Sequence, residues 1–209
     1  MTRDLTTSVP RLAPLAPEQW DENARALLRG RVGLADRYLS GEPDAPRMPN
    51  VLGVLGHHPE LAAAWLSYNG VLLQEPALDP LLRELVILRV AARTGSGYEW
   101  HQHVRIGTQL GLAAAQIDAI GAPSGGPALS PVEALLLTAT DELLDDHRLG
   151  DRTWAALSGQ FDARQLLELL FVAGSYLCLA LVFNSVALQP DPDAGPGDRP
   201  APPETEVRP

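Results

Sequence analysis

One segment limits the folds open to this chain more than any other. Residues 166–188 read LLELLFVAGSYLCLALVFNSVAL, an apolar run broken mainly by Glu168, by Gly174, Ser175 and Tyr176, and by Asn184. About 20 apolar residues suffice to cross a bilayer, so a membrane helix is the first alternative. The polar residues sit near the ends and in the middle, and no basic residue directly flanks the run as a topology determinant would. A helix buried on all sides by other helices is the better expectation. The rest of the chain then has to supply those helices.

It does so in order. Pro17, followed by Trp20, Ala24, Leu27 and Leu28 at helical spacing, predicts a helix over 17–29. Beyond a Gly- and Pro-punctuated stretch at 30–49, Asn50 is placed to cap a short helix to 57, and Pro59 opens another to about 73. Asp79 followed by Pro80 starts a helix through 94. Gly95, Ser96 and Gly97 break the chain before a helix over 98–110 closed by Gly111, and 113–120 adds a short one. Ser130, Pro131 and Glu133 form a capping box for a helix to about 145. Asp151 caps one through 158, and the apolar helix begins near Ala163. No convincing period-two run appears, so the fold class is all-α, eight or so helices around segment 166–188. The expected organisation is an N-terminal arm at 1–16, a single helical domain at 17–188, and a disordered Pro-, Gly- and acid-rich tail at 189–209.

Composition removes several chemistries. All 16 basic residues are Arg, so no lysine can serve a P-loop or form a Schiff base. Cys178 is the only cysteine, which excludes an internal disulfide, a CxxC redox pair, a cysteine zinc cage and an iron–sulfur cluster. A net charge of -10, with no local basic patch in view, argues against nucleic acid as a partner. The N-terminal residues MTRDLTTSVPRLAPLAPEQW lack the unbroken apolar stretch of a secretory signal, and the expected location is the cytoplasm.

Two neighbouring helices carry the candidate chemistry. On the first, Glu84 shares a face with Leu81, Ile87, Leu88 and Ala91, while Arg89 and Arg93 lie on another. A carboxylate aimed into apolar surroundings has a movable pKa, as an acid or base requires. Its ordinary structural reading is a helix-dipole acid tied to a neighbour. On the second, Glu99 and His103 stand four apart on the face continued by Ile106 and Leu110. Glu99 could orient the imidazole and His103 could exchange a proton near neutral pH. Here too a plain structural reading exists, a first-turn acid and a satisfied core histidine. His101 shares its face with Arg105 and Thr108, which places it toward solvent or a subunit contact. His57, His58 and His147 have charge-pairing or capping explanations, and no histidines are spaced as a zinc motif, so no metal is expected. Ser96 lies in T-G-S-G, short of the full GxSxG elbow.

Residues 83–112, RELVILRVAARTGSGYEWHQHVRIGTQLGL, resemble the central segment of the carboxymuconolactone decarboxylase family, related to the alkyl hydroperoxidase D-like proteins. HHPELAAAWLSYNGVLL upstream, with DELLDDHRLGDRTWAAL and QLLELLFVAGSYLCLALVFNSVAL downstream, extend the likeness over about 45–188. In the family's redox branch a Glu, a CxxC pair and a His form a proton relay. Those positions here read Glu84, Ser96, Glu99 and His103, so both thiols are missing and thiol peroxidase activity by that route is excluded. The decarboxylase branch commonly follows its Y-E-W with two adjacent histidines, whereas this chain has His101, Gln102, His103. The resemblance implies an alkyl hydroperoxidase D-like helical bundle around a buried apolar C-terminal helix, assembled as homo-trimers or hexamers and working without a cofactor. It further implies a non-redox, decarboxylase-like lyase acting on a small oxygenated, carboxylated or lactone substrate. His103 would be the proton donor, Glu99 its orienting partner and Glu84 a second acid or base. Ser96 and Tyr98 would bind substrate oxygens, and Arg93 or Arg105 a substrate carboxylate. The alternatives are a cyclase, dehydratase or hydrolase, or a noncatalytic binding protein on the same scaffold. Glu84, Ser96, Glu99 and His103 should converge on one cavity, with Glu99 bonded to His103 directly or through one water.

Overall fold

The computed structural model describes residues 9–74 and 76–191, so the first eight residues of the expected arm and most of the expected tail lie outside the described residues. Among the described residues there are ten α-helices and no strand. They are α1 (Glu22–Leu28), α2 (Ala35–Leu39), α3 (Asn50–Leu55), α4 (Pro59–Gln74), α5 (Pro80–Thr94), α6 (Gly97–Leu110), α7 (Ala114–Gly121), α8 (Pro131–Asp145), α9 (Asp151–Ser158) and α10 (Ala163–Val186). The local signals act as their chemistry requires. Asp79 accepts the N–H groups of Leu81 and Leu82 at the start of α5, and Ser130 and Glu133 close a reciprocal capping box on α8.

Three expectations need correction. The helix expected at 17–29 divides into a 3-10 turn at Pro17–Gln19 and a shorter α1, because Asp21 caps the N–H of Ala24 and so begins a new helix. The expected single domain at 17–188 is two compact units among the described residues, one built from 12–74 with Asp191 and one from 9–11 with 76–190. The smaller unit has a core of its own, with Trp20, Ala24, Leu28, Leu39 and Leu52 packed together. Residues 12–16 join it rather than forming an arm, since Leu15 donates its N–H to Gly53 O.

The third correction concerns the centre of the larger unit. That place belongs to α5, which packs on α6, α7, α8 and α10 and is buried at every position from Arg83 to Ala91. The apolar α10 is long and apolar enough to cross a membrane, yet more than half of that stretch is buried in the protein. Its other face is open, with Leu167 57%, Phe171 50% and Leu181 62% exposed. An apolar helix with one covered face is half of a packing surface, which is why composition alone overstated its burial.

The polar breaks in α10 fasten it to α5. Glu168 accepts the N–H groups of Ala77 (2.7 Å) and Leu78 (3.1 Å), just ahead of α5, and Gln165 donates to Ala77 O. At the other end Asn184 Nδ2 donates to Thr94 O (2.9 Å), satisfying a carbonyl that the end of α5 leaves open. The two helices therefore run parallel and in fixed register. Arg89 holds the opposite side of α5: its guanidinium donates to both oxygens of Asp141 on α8 (2.8 and 2.6 Å), to the carbonyl of Ile120 in the last turn of α7, and to those of Ala122 and Pro123 just beyond it. Gly95, at φ 65°, makes the left-handed end of α5 that a side chain would resist and turns the chain directly into α6.

Candidate functional site

The tight turn at Gly95 sets α6 against α5, and this puts His103 beside Glu84. His103 Nδ1 donates to Glu84 Oε2 at 2.6 Å. The pair is enclosed unevenly. Glu84 is 1% exposed, and the access that remains belongs to the imidazole, whose side chain is 12% exposed. Arg83 brings a cation to the other oxygen, Nη2 standing 3.6 Å from Glu84 Oε1. A bare carboxylate at this depth would cost several kcal/mol, so these two partners are what allow it to stay.

Glu99 is the correction to the expected pairing. Histidine finds its carboxylate on α5, nineteen residues earlier in the chain, rather than one turn away on its own helix. Glu99 sits 2% exposed, with neither carboxyl oxygen nor the Ser96 hydroxyl in an aligned hydrogen bond. Burial pushes the Glu99 carboxyl up to about 8, and the nearby Ser96 hydroxyl pulls back only part of that rise. At neutral pH Glu99 is therefore mostly a neutral acid while Glu84 stands beside cationic and imidazole partners.

The other expected residues are placed as follows. Ser96 is fully buried at the start of α6, where its backbone, not its side chain, caps the helix. Tyr98 is also buried; its hydroxyl accepts from Gln102 Nε2 (3.2 Å) and its ring meets Phe183 edge-on. Arg93, expected as a carboxylate clamp, is engaged by Asp141 (2.6 Å) and Asp145 (2.7 Å) on α8. Arg105 donates to Gln102 Oε1. His101 is half-buried, and His57 lies in the smaller unit at 2.8 Å from Ala13 O. A hollow of about 450 Å³ lies in the smaller unit, lined by Pro14, Tyr38, Arg47, Met48 and Asn50 among others, and holds none of the expected site residues. Glu84, Ser96 and Glu99 are each buried almost completely, and of the four expected residues His103 keeps the most access. Among the described residues no group of three His, Cys, Asp or Glu side chains is placed to hold a metal ion.

Sequence reasoning missed two members. Arg83 is one, hidden by its position next to Glu84. Tyr176 on α10 is the other: its ring stands 5.0 Å from the His103 ring at 89°, and burial first, then the charges of Glu84 and Glu99 against that of Arg83, raises its phenol above the ordinary range. Its signal was the polar break in the middle of the apolar run.

Residues 59–142 match the sequence profile of the Carboxymuconolactone decarboxylase family. No curated protein matches the chain. Among solved structures, an alkylhydroperoxidase AhpD core described as an uncharacterized peroxidase-related protein from Ralstonia eutropha JMP134 superposes with a TM-score of 0.72 at 15% identity, covering 89% of this chain and 94% of that one. An uncharacterized peroxidase-related protein from Silicibacter sp. TM1040 gives 0.64 at 19%, covering 91% of each chain. A variant of the debrominase Bmp8 in complex with 2,3,4-tribromopyrrole gives 0.67 at 13%, covering 89% of this chain and 93% of that one. The fold is alkylhydroperoxidase D-like, and within it residues 59–142 are similar to the carboxymuconolactone decarboxylase family.

Proposed function

We propose that this protein is a thiol-independent acid–base enzyme of the carboxymuconolactone decarboxylase family, a decarboxylase-like lyase acting on a small carboxylated or lactone substrate without a cofactor. The observation that carries this reading is the buried Glu84–His103 contact, set beside a second carboxyl, Glu99, that burial keeps protonated. With one cysteine in the chain, the CxxC pair of the redox branch has no counterpart, and the relay has only proton chemistry left to perform.

The step is written as follows. The C–C bond to the carboxylate breaks and its electron pair moves into the unsaturated lactone, giving carbon dioxide and an enolate. Since Glu84 accepts from Nδ1–H, His103 presents Nε2 outward; protonated there, it delivers its proton to the enolate carbon, with Glu84 stabilising the imidazolium beforehand. Neutral Glu99 and the Ser96 hydroxyl supply donors within the same cluster.

Incubation with a panel of carboxylated lactones in D2O tests the reading. Wild type should release carbon dioxide and return product with carbon-bound deuterium, and Glu84→Gln and His103→Gln should each lower both signals by about 10²–10⁴-fold while still folding. Turnover unaffected by both substitutions, or lost in Cys178→Ser, would overturn it.

We also propose self-association, as the family resemblance implies. The exposed apolar positions Leu167, Gly174, Cys178 and Leu181 on α10 support it, since steps of seven, four and three residues return to one face of a helix.

A further inference from the structure

The middle polar break of α10 lies where the register with α5 brings it level with the candidate site. Glu168 is bonded just before α5 begins and Asn184 where it ends, so the point midway along α10 faces the turn of α5 that carries Glu84. Tyr176 occupies that point. Its ring meets the His103 imidazole edge to face, with centroids 5.0 Å apart and planes at 89°, and the residue is only 4% exposed.

We infer that Tyr176 is a positioning residue: it fixes the plane of the His103 ring so that Nδ1 stays on Glu84 and Nε2 stays outward, and it keeps water off that hydrogen bond. The inference rests on the acid–base reading of the site. The physical need is plain. An imidazole held only by one hydrogen bond can rotate about its side-chain bonds and exchange which nitrogen carries the proton. A perpendicular aromatic contact removes that freedom, and such contacts favour one geometry beyond the area they bury. Three elements surround the imidazole with charge or titratable groups: Arg83 and Glu84 from α5, Glu99 from its own helix, and Tyr176 from α10. Of these only Tyr176 touches the ring face-on or edge-on, and it does so through its ring, so phenylalanine should substitute for it.

The test reads the imidazole without substrate, so its outcome is separable from that of the turnover assay. Nitrogen-15 and proton spectra of the full-length protein are recorded for wild type, Tyr176→Phe and Tyr176→Leu, with the His103 signals assigned by their loss in His103→Gln. Wild type and Tyr176→Phe should show one tautomer with the proton on Nδ1 and a protected imidazole proton. Tyr176→Leu should show averaged tautomers and exchange of that proton with water at least tenfold faster. Should the leucine variant fail to fold, Tyr176→Met fills similar space without a ring and is read the same way. A ringless variant that folds and keeps the single tautomer at the wild-type exchange rate would overturn the inference.

Discussion

His103 and Glu84 come from different helices and meet at 2.6 Å, with the imidazole outside and the carboxylate behind it. Glu84→Gln keeps the size and one acceptor but removes the charge that would steady an imidazolium. General acid–base catalysis contributes about 10²–10⁴-fold. Loss of turnover in that range, with circular dichroism showing the fold retained, is the expected outcome in steady-state assays of the active substrate.

Glu99 gives a stability signature with a definite sign. Its carboxyl titrates near 8 when folded against an ordinary value of 4.5, so the folded protein holds a proton that the unfolded chain gives up across that interval. Stability therefore falls as pH rises from 4.5 to 8 and is level on either side. Glu99→Gln should lose this slope. Thermal melts should show the variant equal to wild type below pH 4.5 and more stable above pH 8, by an amount on the order of a few kcal/mol.

The two arginines on the far side of α5 should behave differently. Arg89 is 1% exposed and its removal strands three carbonyls and one side of Asp141. Taking one partner from a buried ion pair costs about 3–5 kcal/mol, and Arg89→Met is expected near the lower figure because Arg93 still holds Asp141. Arg93 is 30% exposed, and Arg93→Gln should cost about 1 kcal/mol or less. Urea unfolding of both variants measures the difference.

The apolar seam on α10 predicts the behaviour of the protein in dilute solution. Leu167→Glu and Leu181→Glu place charges on positions that are more than half exposed. Light scattering on wild type should report an oligomer, and either variant should shift the mass toward that of one chain without lowering helicity. A monomeric wild type would remove the assembly proposal and leave the site chemistry untouched.

Much of this architecture was legible from residue order alone. Asp79 followed by Pro80, and Ser130 with Pro131 and Glu133, fix helix starts through contacts within four residues, which is the range a sequence displays directly. The division into two units was not visible, because nothing in the Trp20 cluster distinguishes a separate core from one wall of a larger core. The partner of His103 was misread for a related reason. A carboxylate four residues away is the obvious candidate on paper, whereas the nearest carboxylate in space depends on how Gly95 turns one helix against the next. Glu168 and Asn184 were read as blemishes in an apolar run, since their partners stand about ninety residues upstream.

Fastening α10 at two points to the ends of α5 makes its length a fixed dimension of the protein. Its outer side chains can drift over evolutionary time with little effect on what lies beneath. Adding or deleting a single residue between the two anchors cannot be absorbed in this way, because each residue turns the helix by about 100° and advances it about 1.5 Å. Either one anchor lets go or Tyr176 swings away from the imidazole. Homologous chains that keep this chemistry should therefore vary in the composition of that helix while conserving the spacing from Glu168 to Asn184.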